Sequence, residues 1–567
     1  MDQPIDYNSW FLRFGKSLLY EKFSKQPVAY FCAEYAEISD LPTYAGGLGV
    51  LASDYIKEAH ARQFPLMAVG LFYLEAQNSL TPPDRSHELA SNSKNLSLVL
   101  DEKKERLLVS VPIHDRIVYA QAWQVTHGAG ALYLLDTNIS ENQPHDRDIV
   151  NQLYTDDREM RLKQEMLLGI GGFRLLEKLG LHCSVYHLNE GHSAFLALEL
   201  VAHEMKHQHV DFFTACGYAS SHLVFTNHTL VAAGQEQFTT DLVSAMMGKY
   251  AEELAIPIAD IVALGTIEGS NLFSMTTLSF KLANKTNAVS KLHATKALEI
   301  WPKNPMTSVT NGVYLARWDK VGKAAEKDFW SKHQQNKTAL LEYIQSQTGQ
   351  SWEPNVLLLG WARRLVPYKR PMEIISDVEK FLALALRQDR PLHIVFSGPT
   401  NNENENNNAV LVELKKILKD KLSDVAVFLP NYNLELAQLL TAGCDVWVNT
   451  PVVGSEACGT SGMKAALNGA LPLSTRDGWV AEADLNGIGW VVDEPSVGPK
   501  MLELLEQEII PEYYEQINNP QKSSWITRMQ KSRQLISEQF STSRALKEYI
   551  EIMYIQALNQ KHVHKYA

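Results

Sequence analysis

Between residues 356 and 492 the chain repeats one pattern: a short apolar run, a polar motif, and then a stretch with helical spacing. The runs are Val356-Leu-Leu-Leu-Gly360, Leu392-His-Ile-Val-Phe-Ser397, Val425-Ala-Val-Phe-Leu429, Val446-Trp-Val448, Ala470-Leu-Pro-Leu-Ser474 and Ile488-Gly-Trp-Val-Val492. Runs so short and uniformly apolar read as strands buried on both faces, and strands alternating with helices build a parallel, doubly wound α/β sheet. Ligands of such sheets bind beyond the carboxyl ends of the strands. The polar motifs fall there: Arg363-Arg364 after the first run, Asn431-Tyr432 after the third and Glu456 after the fourth.

The first half is also α/β, with more interruptions. Pro27-Val-Ala-Tyr-Phe-Cys-Ala33 reads as a strand, Gly46-Gly-Leu-Gly49 opens a helix running to about Ala61, and Leu66-Met-Ala-Val-Gly-Leu-Phe-Tyr73 is the next strand. Alternating segments from about Leu98 to Asp136 predict inserted antiparallel hairpins, a long helix is expected from about Arg158 to Leu179, and two buried strands end at His187-Leu-Asn189 and Phe225-Thr-Asn227. A chain of 567 residues exceeds one ordinary core. The expected division is 1–308, a Rossmann-like domain with hairpin insertions, and 309–567, a second Rossmann-like domain. Helices around 525–539 and 543–558 close the chain and are candidates for packing back on the first domain.

Composition narrows the function class. The formal net charge is −12 and no long lysine or arginine run exists, which argues against nucleic-acid binding and against an anionic membrane surface. The five cysteines are scattered without a C-x-x-C pair, so neither a disulfide framework nor a zinc site is expected. The N-terminus is polar and acidic, unlike a signal peptide, and no apolar stretch is long enough to span a bilayer. A cytoplasmic protein is the expectation. The asparagine-rich stretch 401–408 reads as a surface connection.

Lys464 is the residue with the most pointed chemistry. It lies in Glu456-Ala-Cys-Gly-Thr-Ser-Gly-Met-Lys-Ala-Ala-Leu-Asn-Gly469 between apolar neighbours, and burial disfavours an ammonium. A neutral amine on a fixed stem is what a Schiff base with pyridoxal phosphate needs; the plainer alternative is a lysine whose head reaches solvent. Gly459-Thr-Ser-Gly462, at a helix start one short turn before, offers amides and hydroxyls to an anion. Arg363-Arg-Leu-Val-Pro-Tyr-Lys-Arg370 collects four cations, of which Arg363, Arg364 and Lys369 suit a phosphate while Arg370 reads as a solvated surface charge. Gly46-Gly-Leu-Gly49 is a weaker anion cradle, since a bare tight turn is the commoner fate of so short a pattern. Asn189-Glu-Gly-His192 and Thr226-Asn-His-Thr229 fit either hydroxyl recognition or histidines tying down loops. No spacing specifies a nucleophilic triad, and His187, His192 and His228 match no metal pattern.

Taken in order, these motifs resemble the α-glucan (glycogen, starch, maltodextrin) phosphorylases, particularly their shorter bacterial and archaeal forms. The resemblance runs from Tyr30 to about Glu482 through Leu41-Pro-Thr-Tyr-Ala-Gly-Gly-Leu-Gly-Val-Leu-Ala52, Asn189-Glu-Gly-His-Ser-Ala-Phe195, Thr226-Asn-His-Thr229, Thr310-Asn-Gly312, the 362–370 cation loop, the Lys464 motif and Asp477-Gly-Trp-Val-Ala-Glu482. It implies a GT-B fold, two Rossmann-type domains facing across a catalytic cleft, the first on the glucan side and the second binding the cofactor. It implies pyridoxal 5′-phosphate on Lys464, with the cofactor's phosphate relaying a proton to inorganic phosphate. The implied products are glucose 1-phosphate with retained configuration and a shortened glucan. Arg364, Lys369 and the Gly47 amide then match substrate-phosphate contacts, with Gly46 beside them. Thr460, Ser461 and Arg363 match groups around the cofactor phosphate, and Trp318 and Tyr432 match residues near the pyridoxal. Glu456, with the Cys458 and Gly459 amides, matches the clamp on the terminal glucose, joined by Asn311, His228 and Tyr368.

The chain departs from the family pattern at Asn433, where many members carry an arginine, and at Ser397-Gly-Pro-Thr400, where a lysine-containing segment is common. The rival enzymatic reading is a nucleotide-sugar-dependent GT-B transferase; many of those place a second glutamate eight residues after the first, where this chain has Lys464. A glucan-binding paralogue without catalysis is the other rival, opposed by the joint presence of Lys464, Arg364, Lys369 and Glu456. The resemblance implies a homodimer and no phosphorylation control through the short N-terminus, and the cysteine and histidine spacing leads to the expectation of no metal.

Overall fold

The computed structural model describes residues 5–38, 41–75, 95–127, 130–230, 235–322, 328–399 and 408–559. The asparagine-rich stretch lies outside them except for Asn408. The chain forms two compact units, one from the described parts of 1–289 and 297–309 with the chain from Ala545 on, the other from 290–296 and 310–544.

The first unit is built on β1 (Val28–Phe31), β2 (Leu66–Leu71), β3 (Leu96–Leu98), β4 (Val109–Ile113), β5 (Arg116–His127), β6 (Gly130–Asp136), β7 (Val185–Asn189) and β8 (Leu223–Asn227). A small antiparallel pair, β9 (Gln237–Thr239) with β10 (Leu272–Ser274), precedes β11 (Lys285–Ala288) and β12 (Thr307–Ser308). The main sheet runs β12-β11-β8-β7-β1-β2-β6-β5-β3, with β4 on β5. Every pairing from β12 through β6 is parallel, whereas β3, β4 and β6 all pair antiparallel with β5, the insertion expected from the alternating segments. The expected long helix is one rod, Arg158–Met166 and Gly172–Lys178, joined by a π-type turn over Leu167–Gly171.

The second unit holds β13 (Leu357–Ala362), β14 (Leu392–Ser397), β15 (Ala426–Leu429), β16 (Val446–Asn449), β17 (Leu471–Thr475) and β18 (Trp490–Val492). All are parallel, in the order β15-β14-β13-β16-β17-β18. The six apolar runs became these six strands. Their buried faces meet helices on both sides, so each run is apolar throughout rather than alternating. Both units are therefore α/β folds, largely parallel in the first and wholly parallel in the second, of the kind the GT-B class comprises.

Both sheets have a reversal of strand order, between β1 and β7 in the first unit and between β13 and β16 in the second. At such a point the flanking connections leave in opposite directions and open a crevice past the strand ends. The chain leaves β1 into Cys32-Ala-Glu34, β7 into Glu190, β13 into Arg363 and β16 into Thr450. These positions carry the polar motifs.

Candidate active site

In the second unit the two strand ends are joined directly. Arg363, 6% exposed, donates from Nη1 to the Oδ1 of Asn449 at the end of β16. Its Nη2 lies 2.5 Å from Glu456 Oε2, and Lys369 Nζ donates to the same oxygen at 3.0 Å. Burial disfavours the Glu456 carboxylate, yet Arg363 and Lys369 overcome that and hold its pKa down to about 2. Burial and then the Arg363 charge draw Lys369 down to about 8, against the pull of Glu456. Two buried cations thus share one carboxylate, a surplus of positive charge suited to an anion.

The cation loop is firmly held. The Thr450 hydroxyl donates to the carbonyls of Lys369 and Arg370. Arg370 is not the solvated charge expected from sequence: its Nε donates to Thr450 O at 2.8 Å and its Nη2 to Pro451 O at 2.9 Å and Glu494 at 2.8 Å. It is a clasp between the loop and the end of β16. Arg364 is exposed, and its guanidinium meets the Tyr368 hydroxyl, whose pKa is raised by burial and by Glu456. Gly398 has a plain steric reason, because a Cβ there would lie 1.9 Å from the Arg363 carbonyl oxygen, although this contact does not account for the missing lysine. The close approach of β14 to the Arg363 backbone demands glycine. Asn433 caps the Leu434–Gly443 helix through Leu436 N at 2.9 Å, a role an arginine could not fill. Tyr432 beside it packs against the core between the sheet and that helix.

Lys464 is 8% exposed, and its Nζ sits 4.1 Å from the centre of the Trp318 ring, which settles against the solvent-reaching alternative. It lies on the last turn of the Thr460–Leu467 helix, whose cap Gly459 adopts φ +83°, a conformation that favours glycine, and makes no side-chain cap. The amides at Thr460 and Ser461 thus begin a helix without a built-in acceptor, the arrangement an anion can complete. Glu456 is steered through its backbone: Asp477 accepts from Glu456 N at 2.9 Å and from Gly478 N at 2.8 Å, and burial raises the Asp477 pKa. Ser290 donates to the Ala457 carbonyl, and the Asn311 amide meets the Cys458 sulfur, whose thiol is pushed up by burial. Asn449, Asn468 and Asp477 were not assigned roles from sequence. Asn468 and Asp477 lie inside the quoted motifs, and Asn449 ends an apolar run.

In the first unit, Glu34 follows β1 and its Oε2 accepts from Ala45 N at 2.9 Å and Gly46 N at 3.0 Å, while Tyr154 donates to Oε1 at 2.5 Å. This orients the start of the Gly47–Ala61 helix, which has no side-chain cap. A Cβ on Gly46 or Gly47 would meet nothing within 4 Å, so internal packing does not require those glycines. His228 lies against Asn189, Nε2 to Oδ1 at 2.7 Å, and its amide donates to Glu190 at 2.7 Å. Glu190 holds φ +76°, a strained backbone for a non-glycine residue, and burial pushes its carboxyl up to about 7 against the pull of the His228 and Gly191 amides. His187 is instead structural, bonded to Tyr554 and Thr226 at 2.8 and 2.7 Å. Glu165, His192 and Glu236 place one ligand-type atom each within 4.8 Å of one another, but the Arg161 guanidinium already pairs with Glu236 there.

Comparison with known proteins follows the same lines. The family described as carbohydrate phosphorylase matches residues 320–486. The maltodextrin phosphorylase of Thermococcus litoralis is 35% identical over 97% of this chain and 72% of its own length. The chain belongs to the carbohydrate phosphorylase family. The glycogen phosphorylase of Mycobacterium tuberculosis is 32% identical over 94% of this chain and 71% of its own, and that of Aquifex aeolicus 30% over 98% and 89%. This phosphorylase-family chain is a mixed α/β protein and, among the described residues, no helix is long and apolar enough to cross a membrane.

Proposed function

We propose that the protein removes terminal α-1,4-linked glucose from glycogen- or maltodextrin-type glucans by phosphorolysis, giving glucose 1-phosphate with retained configuration. The supporting observation is the buried Lys464 amine on the Trp318 ring, one turn into a helix whose first amides have no side-chain cap. These residues fit pyridoxal 5′-phosphate: Lys464 would hold its aldehyde carbon, Trp318 and Tyr432 its ring, and Thr460, Ser461 and Arg363 its phosphate. When bound, the cofactor would supply a phosphate that exchanges a proton with the substrate phosphate.

Arg364, Lys369 and the Gly47 amide hold inorganic phosphate in this reading. Two dianions near each other repel strongly at low dielectric, so the surplus positive charge of Arg363 and Lys369 around Glu456 is the necessary counterweight. Glu456, the Cys458 and Gly459 amides, Asn311, His228 and Tyr368 position the terminal glucose. Residues 1–308, together with the closing stretch from Ala545, would be the glucan-side domain and 309–544 the cofactor domain. A cytoplasmic homodimer belongs to the same proposal on the strength of the resemblance.

The test is direct. Protein purified with pyridoxal phosphate and given phosphate and maltodextrin should release glucose 1-phosphate, and borohydride should fix the cofactor to Lys464. Failure of both in folded protein would sink the reading.

A further inference from the structure

Asn468 is fully buried at the end of the Thr460–Leu467 helix, and one side-chain amide reaches two segments. Its Oδ1 accepts from Lys320 N at 2.8 Å, and its Nδ2 donates to the Trp318 carbonyl at 2.8 Å. The same Nδ2 donates to the Lys464 carbonyl at 2.9 Å, one turn back on its own helix. Three backbone groups, two of them just past the Trp318 side chain and one at the base of the Lys464 stem, therefore converge on one planar amide. The Asn468 carbonyl in turn accepts from the buried His333 ring at 3.2 Å, and His333 pairs with Asp445 beneath β13 and β16.

We propose that Asn468 is a positioning residue: its amide sets the register of the Trp318 segment against the Lys464 helix, and so holds the ring against the amine that carries the cofactor. This rests on the cofactor reading above. The chemistry explains the residue type. Donor and acceptor must point in fixed directions from one short side chain, so aspartate would set an oxygen against two carbonyls and alanine would remove all three hydrogen bonds. A hydrogen-bonded amide without charge also suits a fully buried place. Asp319, paired with Arg533 at 2.5 Å, anchors the segment beyond Trp318, but it reaches neither Trp318 O nor Lys464 O.

The measurement is release of pyridoxal phosphate from holoenzyme, followed by absorbance of the lysine-bound cofactor, with thermal unfolding recorded in parallel. Asn468→Ala should release it roughly tenfold faster and shift its absorbance, because the ring is no longer held at the amine. Asp377→Ala, which removes the cap of the Val378–Ala385 helix, should lower the melting temperature while retaining the cofactor like the parent. A folded Asn468→Ala protein that keeps the parental release rate and spectrum would overturn the proposal. If Asn468→Ala does not fold, Asn468→Ser takes its place, since its shorter side chain cannot bridge all three groups: faster release with a shifted spectrum supports the register argument, and parental release and spectrum refute it. Parent protein that takes up no cofactor at Lys464 removes the underlying reading, and this inference with it.

Discussion

Lys369 holds its proton less tightly than a free lysine because it is buried beside Arg363, and Glu456 only partly restores the balance. With the pKa at about 8, the cation is present below that pH and lost above it, so the KM for phosphate should rise as pH increases past 8. Lys369→Arg should flatten that alkaline limb, since a guanidinium does not deprotonate there; an unchanged limb would mean that another group titrates. The stability effect has the opposite sign for this residue: the unfolded chain binds the proton more tightly, so Lys369 penalises folding less as pH rises above 8. Glu456, held down to about 2, contributes stability above the ordinary carboxylate range that is lost as pH falls toward 2. Arg364 differs from both in being exposed. Arg364→Ala should leave stability within about 0.5 kcal/mol of the parent, raise the KM for phosphate and leave glucan affinity nearly unchanged. Equal loss of phosphate and glucan affinity would remove its assignment. That the cations belong together was legible in their sequence cluster. Arg370's place in a clasp was not, because its partners Thr450, Pro451 and Glu494 lie 80 or more positions away.

At the scale of elements, the ends of strands and helices do the work. The β14 end must pass so close to Arg363 that Gly398→Ala would drive a methyl group into a carbonyl oxygen. That variant should lose about 1–3 kcal/mol in urea unfolding and lose activity with it, since the displaced group is the Arg363 backbone. Parental stability and activity would show that the loop has room to move. Asn433→Ala removes a helix cap and should cost about 1 kcal/mol, read from the same unfolding curves. The strands themselves were legible as apolar runs, and the Trp525–Gln539 helix matches its expected span. The π-type turn at Leu167–Gly171 was not visible in the sequence, because one extra residue in a turn barely disturbs helical spacing.

For the whole molecule, the last helical stretch belongs to the first unit although it follows the second in sequence. Tyr554 hydroxyl meets Tyr55 and His187, both at 2.8 Å, and Tyr549 meets Asn287 at 3.1 Å. Ending the chain after Arg544 would strip this buried polar network of its partners and expose an apolar face, so the truncated protein should be insoluble or unfolded by circular dichroism. A soluble truncated protein with the parental unfolding curve would contradict that. Local pattern alone determined the parallel α/β class, the strand-end placement of the motifs and the suspicion that Lys464 is buried. Such features depend on neighbours along the chain, where periodicity and strand length are written. Only tertiary structure decided which strand ends meet at each reversal of order, that Arg363 and Lys369 share Glu456, and that Trp318 covers the Lys464 amine. Those contacts join residues up to about 150 positions apart, and hydrogen-bond and charge complementarity over such separations leaves no local trace in a single sequence.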